Sequence, residues 1–189
     1  VKNQEQLDRC ISSGVIPLVD SVNREMADSV FYVIGQLLMR GIKQIHFLVS
    51  SSGGNGRVSL EIVDAIRLWP GEKIGIVCGR AHSAAAVILQ AFDKRWATVN
   101  STFVIHHGKV DVSVVDLLDK DRVKILCQEI RLDETRYTKL FMERTKMSEE
   151  AVWKLTKEDR NLFVEEAIKL GIIDGVWDKP LPWINTEKK

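Results

Sequence analysis

Apolar residues along this chain alternate between short continuous runs and a three-to-four-residue spacing, and that alternation predicts its elements. Val15-Ile16-Pro17-Leu18-Val19 reads as a strand, following about fifteen polar residues that form an arm or a short helix. Ser21 then caps a helix whose apolar positions Val22, Met26, Val30, Val33, Ile34 and Leu37 share one face, with Gly41 as its stop. Ile45 to Val49 is near-continuously apolar, as in a strand covered on both faces, and a Ser/Gly-rich loop from Ser50 to Gly56 follows. Val58, Ile62, Ile66 and Trp69 mark the next helix, closed by Pro70-Gly71. A strand from Ile74 to Cys78, a turn at Ser83, a helix from Val87 to Phe92, and strands at Trp96 to Val99 and Phe103 to His106 complete the series. Strands alternating with helices at crossover spacing predict an α/β fold of stacked βαβ units around a mostly parallel sheet.

Past His106 the pattern changes. Asp116 to Lys146 is highly charged yet keeps Val123, Leu126, Ile130, Tyr137, Leu140 and Phe141 near helical spacing. A helix of that length overruns a small sheet, which predicts that it projects and packs on another subunit. Ser148 with Glu149 and Glu150 opens a further short helix, and Val164 to Leu170 forms another, stopped by Gly171 before a strand-like Ile172-Ile173. Tyr137, Phe141 and Met142, with Trp177, Pro180, Pro182 and Trp183 near the end, offer apolar surface for association. Packing of the terminal tryptophans back onto their own chain is the alternative.

At 189 residues, one domain spanning 1–189 is expected. A net charge of +1 with no basic block argues against a general nucleic-acid binder or a membrane-surface protein. No apolar run reaches the roughly 18 to 20 residues of a membrane helix, and no secretory leader opens the chain. Cys10, Cys78 and Cys127 are odd in number and scattered, so buried free thiols in a reducing compartment, the cytoplasm, are expected. Ligand spacing such as C-x-x-C is absent, and neither a metal nor a cofactor is expected.

The chemistry concentrates in Gly79-Arg80-Ala81-His82-Ser83-Ala84-Ala85-Ala86. This stretch sets a hydroxyl among very small residues where a strand passes into a helix, a place where backbone N–H groups favour developing negative charge. Ser83 is a candidate nucleophile, with simple helix capping as the bland alternative. Acyl transfer by serine also needs a base, a group to orient it and donors for the oxyanion. His106 ends the strand Phe103-Val104-Ile105, Asp159 lies between two short helices, and Gly53-Gly54 ends the earlier strand at the same carboxyl edge, where α/β sites gather. Adjacent His106 and His107 leave open which imidazole faces Ser83, and His82 adds a further ambiguity. His46, inside an apolar strand, reads as structural.

Taken in order, Phe47-Leu48-Val49-Ser50-Ser51-Ser52-Gly53-Gly54, Gly79-Arg80-Ala81-His82-Ser83-Ala84, Val104-Ile105-His106, Glu158-Asp159-Arg160 and Glu166-Ala167 through Gly171-Ile172-Ile173-Asp174 resemble the proteolytic subunit of Clp protease. The resemblance implies a crotonase-like fold with a projecting handle over about 109–147. It implies Ser83 as nucleophile, His106 as general base, Asp159 as the residue orienting it, and the N–H groups of Gly54 and Ala84 as the oxyanion hole. It further implies a homo-oligomer of heptameric rings, joined face to face, that cleaves peptides or unfolded proteins in a chamber fed by a ring ATPase. The chain departs from the family pattern at Ser52, where a proline is usual; at His82, where a small residue is usual; and at Ala85, where glycine is usual. The stretch His107-Gly108-Lys109-Val110-Asp111 also lacks the proline that usually follows the catalytic histidine. Those changes keep an inactive ring subunit in play, and the related fold with its similarly placed oxyanion hole keeps a crotonase-type enzyme acting on acyl thioesters as a further alternative.

Overall fold

The computed structural model describes residues 4–109 and 112–180. In chain order the elements are α1 (Gln4–Ser13), β1 (Val15–Val22), α2 (Arg24–Met39), β2 (Gln44–Gly54), α3 (Gly56–Leu68), β3 (Glu72–His82), α4 (Ala84–Leu89), β4 (Lys94–Ala97), β5 (Thr102–Val104), α5 (Val114–Leu118), α6 (Lys120–Arg144), α7 (Glu149–Glu158), β6 (Leu162–Phe163), α8 (Val164–Leu170) and β7 (Gly175–Val176). Strands β1, β2, β3, β4 and β7 pair in that order, all parallel. Strand β3 is shared by two partners: Ile74 to Val77 pair with β4, and Arg80 to His82 pair with β5. Gly79, at a positive φ of 96°, makes the bend between the two ladders. β6 adds antiparallel to β5.

The expected cover on both faces is corrected for β2: Ile45, Phe47 and Val49 are buried, whereas His46 and Leu48 on the opposite face are only half-buried. Phe47, Phe92, Phe103, Phe141 and Trp69 are the bulkiest side chains sealed in the core. The Phe47 and Phe92 rings lie 4.8 Å apart. Gly75 makes room for Phe92, since a Cβ there would run into its ring. Beneath this core Arg95, its side chain only 6% exposed, bonds Asp174 at 2.6 Å, Gln90 Oε1 at 2.6 Å and the Arg144 carbonyl at 2.9 Å. That one satisfied cation ties β4 to the turn after α4, the end of α6 and the approach to β7.

Several expectations are corrected. Asn23, not Ser21, caps α2, its side-chain oxygen accepting from Met26 N–H at 2.9 Å. Ser21 and Val22 stay in β1 because the ladder to Gly53 and Gly54 continues past a bulge. For the same reason the Ser50–Gly56 stretch is largely strand: the positive φ of Gly53 and Gly54 bends β2 without ending its pairing. The long charged helix is broken at Asp119, whose carboxylate accepts from the N–H groups of Asp121 and Arg122 and starts α6 afresh. Ile172 and Ile173 form a buried bend, and the strand follows at Gly175.

Of the thiols, Cys10 alone is buried. Cys78 falls in the gap where β3 has left β4 and not yet met β5, and Cys127 lies on α6; both are exposed. Phe141 is buried in this chain's own core and is no association surface. Trp177 packs edge-on against Trp96 at 6.3 Å, while Pro182 and Trp183 lie outside the described residues. Within α6 only Thr138, Leu140 and Phe141 are buried, so its C-terminal turns grip the body while Ile125 and Leu132 stay exposed. On α5, Val114, Val115, Leu117 and Leu118 are all exposed. Among the described residues no helix is long and apolar enough to cross a membrane.

Candidate active site

Ser83 stands at the single-residue joint between β3 and α4, with φ 53° and ψ −122°. A non-glycine residue there is strained, and the surrounding packing must hold it. The Ser83 N–H is fixed to the Val104 carbonyl at 2.7 Å, and every residue of α4 is buried behind it. Gly53 closes the joint from β2: a Cβ there would stand 2.7 Å from Ser83 Cβ and 2.7 Å from the His82 carbonyl oxygen. The Ser83 hydroxyl makes no capping bond, so the bland account of this serine fails.

Three histidines surround this joint, and hydrogen bonds separate them. His82 Nε2 pairs with Thr102 Oγ1 at 2.9 Å. His107 is held at both ring nitrogens, Nδ1–H on Glu134 Oε1 of α6 at 2.9 Å and Nε2 on Thr156 Oγ1 of α7 at 3.2 Å, with its ring 5.0 Å from Trp153. His106, two residues past β5, donates Nδ1–H to the His107 carbonyl at 2.6 Å. It therefore keeps Nε2 for other work.

A cavity of about 580 Å³ is walled by Gly54, Ser83, Ala84 and His106 on the sheet side and by α6 and α7 on the other. Asp159 is not part of that wall. It ends α7 in the left-handed region, φ 42°, and its carboxylate pairs with Lys109 Nζ at 3.0 Å. The Lys109 bond and charge, with a further contribution from His106, hold its carboxyl below the ordinary range. The structure thus brings Ser83, His106, Gly54 and Ala84 to one cavity, and it leaves Asp159 on Lys109 and not on the His106 ring.

Sequence reasoning passed over the far wall. Arg57 spans from α3 to α6, bonding Glu129 at 2.8 Å and Asp133 at 3.0 Å. Tyr137 lies so close to Gly56 that a Cβ there would collide with its hydroxyl, and burial, reinforced by Asp133, pushes the phenol up to about 12. The acidic residues Glu129, Asp133 and Glu134 on one stretch of α6 were the available signal, but spacing does not say which cations they meet.

His46 and His82 give the fold a pH dependence. Burial holds His46 below its ordinary 6.5 against the opposing pull of Glu72, and burial, then the charges of Arg80 and His106, does the same for His82. Unfolded, both rings take up protons as the pH drops through about 6.5, while folded they resist, so the unfolded chain binds more protons. Stability is then complete above that pH and declines below it. Melting temperature is expected to fall between about pH 7.5 and about pH 5.5, and His46→Gln to flatten the decline; a flat profile for the unaltered chain would contradict this.

A family model described as Clp protease matches residues 2–180. The chain is 29% identical over 172 residues to the ATP-dependent Clp protease proteolytic subunit 4, chloroplastic, of Arabidopsis thaliana, covering 87% of this chain and 56% of that protein. It thus spans little more than half of the Arabidopsis protein's length. To the ATP-dependent Clp protease proteolytic subunit 2 of Treponema denticola it is 26% identical over 176 residues, covering 90% of this chain and 84% of that protein. Among solved structures, a ClpP1 mutant from Listeria monocytogenes superposes with a TM-score of 0.81 at 23% identity, covering 94% of this chain and 99% of that one, and places the fold in the crotonase-like class. With a family model running almost end to end and the same stacked architecture in the Listeria subunit, the chain belongs to the Clp protease family.

Proposed function

We propose that this chain is a serine endopeptidase that works inside a ring-shaped assembly of its own copies. The observation that carries the proposal is Ser83 itself: a strained, uncapped hydroxyl on the wall of a cavity that also holds an imidazole with a free ring nitrogen. Ser83 Oγ attacks the peptide carbonyl while His106 Nε2 takes its proton and later delivers it to the leaving amine. The N–H groups of Gly54 and Ala84 receive the oxyanion, and water then releases the acyl-enzyme. By the family resemblance Asp159 stabilises the imidazolium, and it reaches that role when its carboxylate lets go of Lys109.

The relatives' names speak of ATP-dependent Clp protease subunits, and a ring ATPase that delivers unfolded protein is the partner proposed here by analogy. The exposed apolar residues of α5 and the early turns of α6 belong to a handle over about 109–147, part of one domain spanning 1–189, and support association with further copies. We place the protein in a reducing compartment, the cytoplasm, on its free thiols Cys10, Cys78 and Cys127.

Labelling with a fluorophosphonate probe tests the nucleophile. A mass increment on the peptide containing Ser83, absent from Ser83→Ala, is expected; an increment elsewhere, or none on the assembled protein, contradicts it.

One observation favours a second reading, an inactive ring subunit: Asp159 is engaged by Lys109. The two readings differ on Lys109→Met. If Lys109 merely withholds Asp159, the variant frees the carboxylate and raises kcat on a short peptide about tenfold, as expected for a better-oriented base, whereas Lys109→Arg leaves it unchanged. No gain in Lys109→Met would remove the lock from the account.

A further inference from the structure

We propose that His107 positions the base of this site while Asp159 is engaged by Lys109: its carbonyl holds the His106 ring in the tautomer that a general base requires, and its side chain anchors that carbonyl to the far wall of the cavity. The inference rests on the assignment of Ser83 and His106 made above.

A carbonyl oxygen only accepts, so the 2.6 Å contact from His106 Nδ1 puts the ring proton on Nδ1. A neutral His106 then carries its lone pair on Nε2, the nitrogen that must take a proton from a serine. No other hydrogen bond to the His106 ring is present among the described residues, and Asp159 is occupied by Lys109. His107 therefore sets the orientation of the base in this state.

The carbonyl needs a hold of its own. β5 ends at Val104, and residues 105–109 have no regular structure, so no strand partner fixes the peptide after His107. What fixes it is the His107 imidazole, pinned at Nδ1 by Glu134 of α6, at Nε2 by Thr156 of α7, and laid against Trp153. Thr156 is itself steadied by donating to the Trp153 carbonyl at 2.9 Å. With both ring nitrogens engaged, the ring plane is fixed, and with it the attitude of the backbone unit that His106 uses.

The competing explanation is that His107 only fastens α6 and α7 to the sheet. Those helices already contact one another and each is buried in the core, through Leu140 and Phe141 on α6 and Val152 and Leu155 on α7, so loss of one polar bridge leaves their packing in place. The two explanations predict different kinetics. A base misplaced by about 1 Å costs on the order of a hundredfold in turnover without weakening substrate binding.

The experiment compares the assembled unaltered protein with His107→Ala, His107→Gln and Thr156→Val on one short fluorogenic peptide, together with fluorophosphonate labelling rates and melting temperatures. His107→Ala is expected to lower kcat and the labelling rate about a hundredfold, with KM within about twofold and the melting temperature unchanged. His107→Gln, whose amide N–H donates to Glu134, restores turnover to within about tenfold, and Thr156→Val falls between. Unaltered kcat in His107→Ala overturns the inference, as does a loss that appears equally in KM and stability or that glutamine does not repair. If His107→Ala does not fold, Thr156→Val decides: a kcat loss at constant KM supports the inference, and unaltered kcat overturns it. Absence of Ser83 labelling in the unaltered assembly overturns the peptidase assignment and this inference with it.

Discussion

Ser83→Ala is expected to slow peptide cleavage by about three orders of magnitude or more, with a small residual rate over water from the oxyanion donors and binding. The melting temperature is expected to stay where it was. The hydroxyl caps nothing, so its loss leaves no backbone group unsatisfied, and alanine meets the same φ of 53° that serine already tolerates. Ser83→Gly is the informative companion. Glycine occupies that region without penalty, so the variant should be more stable by about 1 kcal/mol and equally inactive. An inactive but more stable protein would show that the strain at the joint is kept for the sake of the hydroxyl. If Ser83→Ala cleaves peptide at the unaltered rate, another group is the nucleophile.

Gly53→Ala is expected to damage fold and site together. Gly53 has a φ of 93°, and a Cβ would stand 2.7 Å from the His82 oxygen, 2.7 Å from Ser83 Cβ and 3.0 Å from Ala84 N. Two of those atoms are backbone and the third is the Cβ of Ser83, so no flexible side-chain end is available to yield. Backbone strain of about 1–3 kcal/mol and a comparable overpacking cost combine to about 3 kcal/mol. At about 2–4 °C per kcal/mol for a chain of this size, the melting temperature should drop by about 6–12 °C. The part of the clash relieved by moving the joint displaces Ser83 by about 1 Å and should cost about a hundredfold in kcat. Calorimetry and peptide kinetics on the purified variant check both numbers, and a variant with unaltered stability and turnover would mean that Gly53 does not support the joint.

Much of the architecture was readable because buried faces leave an apolar trace with the period of the element. The runs at Ile45 to Val49 and Ile74 to Cys78 gave strands, although β2 is fully buried on one face only, with His46 and Leu48 half-buried, and the face of α2 followed from Met26, Val30, Val33 and Leu37. Strand ends were not readable. Gly53, Gly54 and Gly79 signal a loop by composition, yet here they bend strands that go on pairing, which depends on a neighbouring ladder the sequence does not display. Asp119 looked like one more charge in a charged helix, and only its carboxylate on two N–H groups makes it a boundary. Thiol burial failed at Cys78 because an apolar neighbourhood in sequence became a gap between two partners in space.

At the site, the serine, the glycines and the histidine pair could be picked out, since small residues around a hydroxyl and glycines at a strand end have a direct steric meaning. The choice between His106 and His107 could not be made. In the structure the two rings differ through Glu134 and Thr156, which lie 27 and 49 positions beyond His107, and through the carbonyl that His106 finds one residue away. Nor could Lys109 be foreseen on Asp159, 50 positions distant. Such contacts are set by how α6 and α7 fold back over the sheet edge, and local pattern carries no record of that.

The most direct measurement is a crystal structure of the assembled protein after reaction with a fluorophosphonate. The account predicts phosphorus bonded to Ser83 Oγ, the phosphoryl oxygen within about 3 Å of the Gly54 and Ala84 backbone nitrogens, and His106 Nε2 facing the bridging oxygen. An adduct on another residue, or a phosphoryl oxygen turned away from both N–H groups, would contradict it.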